Sequence, residues 1–108
     1  MKEVEQELAV LRRVLGPGAT LKVDSNSGAF ANGAGTLTHF VNSTIVVAEL
    51  GLVLFVESEF DEGSDSTRRT LRAPATVEPG PLLDALNEAG LSTSLDRNDP
   101  RAPKAGKR

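Results

Sequence analysis

The sequence predicts an α+β fold in two layers: an antiparallel meander sheet of four to five strands flanked by an N-terminal and a C-terminal helix. Three observations predict it. Helical spacing of apolar residues is confined to the first fifteen residues and to a stretch after residue 80. Between them the pattern turns to alternation and β-branched runs, broken by glycine and polar turn clusters. The length, 108 residues, suits one domain and is too short for two.

The first helix is read over residues 3–15. Val4, Leu8, Leu11 and Leu15 recur at helical spacing, Glu3, Glu5 and Glu7 crowd the first turn, and Arg12 and Arg13 lie near the last, as the helix dipole favours. Gly16-Pro17-Gly18 stops it. Strand alternation follows at residues 20–24, with Leu21 and Val23 on one side and Lys22 on the other. Ser25-Asn26-Ser27-Gly28 reads as a turn, Ala29-Phe30-Ala31 as a short apolar piece and Asn32-Gly33 as a hairpin signal. Residues 36–41 form the next strand and Asn42-Ser43 offers a second turn.

The β-branched run at residues 44–48 shows no alternation, so cover on both faces is expected. Glu49-Leu50-Gly51 fits either a tight turn or a glycine bulge in one long strand. Leu52, Leu54 and Val56 then oppose Val53, Phe55 and Glu57 along a strand, residues 61–66 are a polar turn, and residues 67–73 return as the hairpin partner. In the final helix Pro81 takes the first helical position, Leu82, Leu83 and Leu86 make an apolar face, and Gly90 closes it, with Leu91 packing back on Leu86. The domain is thus placed at residues 1–95, followed by a disordered basic tail over residues 96–108.

Composition excludes several kinds of chemistry. There is no cysteine and a single histidine, so thiol catalysis, disulfides and zinc sites built on Cys or paired His are out. The net charge is −3, but the last thirteen residues carry five basic against two acidic side chains, which leaves −6 on the rest. An acidic body repels polyphosphate, so nucleic-acid binding would rest on the tail, which has no aromatic residue for stacking. No apolar leader opens the chain, and the longest apolar run, residues 44–56, is short of the roughly 20 residues a spanning helix needs. A cytoplasmic protein without membrane contact is the expectation.

Each candidate motif has a structural reading that competes with a functional one. His39 sits in a strand beside Leu37 and Val41, and no nucleophile elbow accompanies it. Glu57, Glu59 and Asp61 share one face of an extended strand and could hold a divalent cation, but Arg68, Arg69 and Arg72 return opposite them as cross-strand ion-pair partners. Gly33 and Gly35 lack the third glycine and the helix of a dinucleotide loop. Asn42-Ser43-Thr44 matches a glycosylation sequon by pattern alone.

The functional expectation is a non-catalytic protein-binding module of adaptor, inhibitor, immunity or chaperone type, without a cofactor, homo-oligomeric through an apolar sheet face or edge. It rests on supply: the central strands offer more apolar surface than two short helices cover. Ile45, Val47, Leu52, Leu54 and Phe55 are the candidate interface residues. The alternatives are a small enzyme or metal-binding domain using His39 with Glu57, Glu59 and Asp61, and a nucleic-acid accessory factor acting through the tail.

Overall fold

Alternation in the middle of the chain builds one five-stranded sheet, and the computed structural model, which describes residues 4–31, 33, 35–61 and 65–97, orders its strands as in the sequence. The elements are α1 (Glu5–Leu15), β1 (Leu21–Ala31), β2 (Leu37–Val47), β3 (Leu52–Phe60), β4 (Asp65–Ala73), α2 (Gly80–Glu88) and β5 (Thr93–Arg97). Strands β1 to β4 form the antiparallel meander. β5 pairs parallel to β4, and α2 supplies the crossover that a parallel neighbour requires.

The two polar stretches read as turns are strand interior instead. β1 and β2 pair without a break over eleven residues each, and the register sets Ser25 against Ser43 and Asn26 against Asn42. The Ser25 and Ser43 hydroxyls share a hydrogen bond of 2.8 Å. Gly28 lies opposite Phe40, whose ring tip comes within 2.9 Å of where a Cβ would sit, so the ring fills the gap the glycine leaves. Turn-forming residues remain in a strand here because each meets a partner across the ladder.

Glu49-Leu50-Gly51 is the tight turn, not the bulge: the Leu50 and Gly51 N–H groups donate to the Val47 carbonyl, and Gly51 takes a left-handed φ of 70°. Both oxygens of the Glu49 carboxylate accept from the Thr20 N–H at 3.0 Å, tying this turn to the start of β1. These bonds hold the Glu49 carboxyl below its usual range, the Thr20 N–H being the largest cause.

α2 ends as its sequence indicates. The Leu91 N–H donates to the Leu86 carbonyl and the Gly90 N–H to that of Asn87, a Schellman closure with Gly90 at φ 84°. Pro81 falls one position later than expected, since the helix begins at Gly80. The Asn87 side chain then accepts from the Thr93 N–H at 2.8 Å and fixes where β5 starts. β5 is an addition to the expected order, and it draws Asp96 and Arg97 out of the stretch assigned to the tail. The rest of that stretch lies outside the described residues.

Both helices cover the same side of the sheet. Val4, Val10, Leu11, Leu82, Leu86 and Leu91 meet Ile45, Val47, Leu52, Leu54, Val56, Leu71 and Ala73 in one core. Within it lies an ion pair that joins the layers: the Arg69 Nε of β4 donates to the Glu7 Oε2 of α1 at 2.6 Å, with the Glu7 side chain only 2% exposed. Glu7 therefore does not serve the helix dipole in solvent with Glu5; it faces the sheet. No described helix is long and apolar enough to cross a membrane.

Candidate functional site

Helix and strand rise set how far the core extends. Eleven residues of helix span about 16 Å and eleven residues of strand about 36 Å, so α1 reaches less than half the length of β1 or β2. The helices cover the end of the sheet that holds Val47, Leu52 and Ala73. The opposite, distal end holds Ala31, Leu37 and Phe60.

On the helix side of the distal end, Ala29, Ala31, Leu37 and His39 are exposed, Leu37 to 53% and Phe60 to 41%. His39 opposes Phe60 across β2 and β3, and their rings stack with centroids 6.2 Å apart. A shallow hollow of about 460 Å³ is lined by Thr36, Leu37, His39, Phe60 and Asp61. The platform is apolar and uncovered by either helix.

Among the described residues, no helix lies on the other side of the sheet. Across it the register reads Lys22, Val46, Val53, Arg72 in one row and Asp24, Thr44, Phe55, Thr70 in the next. Val46, Val53 and Phe55 are half-buried there, because the long stems of Lys22 and Arg72 flank them and the Arg72 guanidinium lies 4.8 Å from the centre of the Phe55 ring. Toward the distal end, Phe30 and Phe40 rings lie 6.3 Å apart. With Asn42, Glu57, Glu59 and Arg68 they line a cleft of about 490 Å³.

Of the five interface candidates, Ile45, Val47, Leu52 and Leu54 are at most 3% exposed within the single chain. They build the core and present no surface to a partner. Phe55 alone lies on the open side, beneath Arg72. The apolar excess of the central strands is met on one side by the helices and on the other by two basic side chains. Uncovered apolar side chains lie further along the same strands, Leu37 and Phe60 beside His39 on the helix side and Phe30 on the open side.

The residues of the metal-binding alternative do not converge. His39 faces the helix side with Phe60, and Asp61 joins it in the shallow hollow, whereas Glu57 and Glu59 line the cleft on the opposite side. Glu57 takes two hydrogen bonds from Arg68, at 2.9 and 3.1 Å, in direct cross-strand register. The other two arginines take other partners: Arg72 pairs with Asp96 at 3.3 Å and Arg69 with Glu7. Among the described residues, no three His, Asp or Glu side chains are grouped to hold a metal ion.

Sequence reasoning missed the platform because Leu37 and Phe60 follow the alternation of core residues. Only the unequal reach of helix and strand signals that they lie past the cover. No family model, curated protein or solved structure matches this chain.

Proposed function

We propose that this chain is a non-catalytic protein-binding module whose docking surface is the distal platform. The observation that supports it most directly is the cluster of Leu37, His39 and Phe60, large side chains left in solvent on the side of the sheet that forms the core elsewhere. An apolar side chain of a partner laid on the stacked His39 and Phe60 rings would remove that surface from water. The reading places the protein in the cytoplasm and requires no cofactor.

The experiment compares two baits, the native chain and the Leu37→Ser, Phe60→Ser double variant. Both positions are exposed, so the variant should keep the native melting midpoint within a few degrees. A protein retained by the native chain and released by the variant supports the platform. Identical retention by both baits, with both folded, removes it.

A further inference from the structure

The two edges of the sheet differ sharply. β5 is five residues long, whereas β1 runs for eleven residues without proline and with an unbroken register on β2. Long, regular and free of bulges, β1 lacks most of the devices that keep an edge strand from pairing. The direction of its free groups follows from one bond. The Thr20 carbonyl accepts from the Ala48 N–H, so even-numbered residues bond toward β2 and the alternation of an antiparallel ladder turns the N–H and C=O groups of odd-numbered residues outward.

We propose that a second copy of this chain pairs with β1, antiparallel about a two-fold axis at Asn26, to make one continuous ten-stranded sheet. The axis position follows from the strand's own pattern. Turned end for end about Asn26, the helix-side residues meet their like: Leu21 opposes Ala31, Val23 opposes Ala29 and Ser25 opposes Ser27. On the open side Lys22 opposes Phe30, a cation over an aromatic ring, as Arg72 already lies over Phe55. All eleven residues pair in this register. Moving the axis to Ser25 sets Val23 against Ser27 and leaves the last two residues of each β1 beyond the other. The arrangement is isologous, so it closes at two copies and consumes both long edges.

This inference goes beyond the platform reading, since it uses the sheet edge and not the platform, so either can fail alone. Asn26 would face its own copy as a non-hydrogen-bonded pair, with Cα atoms about 4.5 Å apart, within the range a disulfide spans. The chain has no cysteine, so single-cysteine variants report one contact each. Under mild oxidation, Asn26→Cys should cross-link to a dimer roughly tenfold faster than Lys22→Cys, whose own copy would lie far along the strand.

Sedimentation of the native chain should show a dimer at micromolar concentration, and the Leu37→Ser, Phe60→Ser variant should show the same dimer. Three results overturn the proposal: a monomer at the highest soluble concentration, equal cross-linking at positions 22 and 26, or a dimer lost with the platform variant. The last would place the contact on the platform. Ser27→Pro supplies an independent check, because its N–H points outward and its loss spares the bonds to β2. A folded, monomeric Ser27→Pro supports the edge, and a folded variant that stays dimeric counts against it.

Discussion

β2 passes through two environments on the same side of one sheet. At Ser43, Ile45 and Val47 that side is buried beneath the helices, while at Leu37 and His39 it is exposed. The alternation is continuous from one half to the other, and the side-chain types are similar. Only the cover differs. A period of two says which residues share a face, but the length of the opposing helices says how much of that face becomes core.

Substitutions can test that contrast, and the proximal half should give the largest effects. Leu54→Ala removes a fully enclosed side chain and should destabilise by about 4 kcal/mol, whereas Leu37→Ala should change stability by no more than about 0.5 kcal/mol. Chemical denaturation of the two variants measures the difference. Equal losses would mean that the distal face is covered in solution. Next comes the ion pair between the layers. Arg69→Met strands the buried Glu7 carboxylate and should cost about 3 kcal/mol, while adding Glu7→Leu should recover most of it, because two apolar side chains pack where a charge was left alone. A double-mutant cycle reads the coupling, and a double variant no more stable than Arg69→Met would contradict the assignment.

The smallest effect belongs to an exposed contact. The folded Glu49 carboxyl is held below its usual range by the Thr20 N–H, so its contribution is present above the unfolded-state pKa and is lost as pH falls through the lower, folded value. Glu49→Gln should therefore narrow its stability gap to the native chain as the solution is acidified below the ordinary glutamate range. Melting midpoints across that pH window would show it. A gap that widens on acidification would have the wrong sign.

The distal half has its own polar counterpart. Arg68 and Glu57 form a direct cross-strand pair, but both are exposed, so the pair is worth a few tenths of a kcal/mol, up to about 1, and serves register more than stability. Its legibility in the sequence was good, since a charged returning strand opposite a charged outgoing one leaves few alternatives. The same logic does not extend to Arg69. It follows Arg68 directly, so it points to the other face of β4, where Glu7 of α1 waits 62 positions away in the chain.

By itself the sequence determined the fold class, the two helices, the β3–β4 hairpin and the Gly90 closure, because spacing, turn chemistry and a left-handed glycine are local properties. Tertiary structure decided the rest. Ser25-Asn26-Ser27-Gly28 became strand because Asn42, Ser43 and Phe40 stand opposite, and Thr93–Arg97 became strand because β4 had a free side. It also decided which apolar residues are core and which are surface: a strand rises more than twice as far per residue as a helix, so short helices on long strands leave one end of the sheet bare.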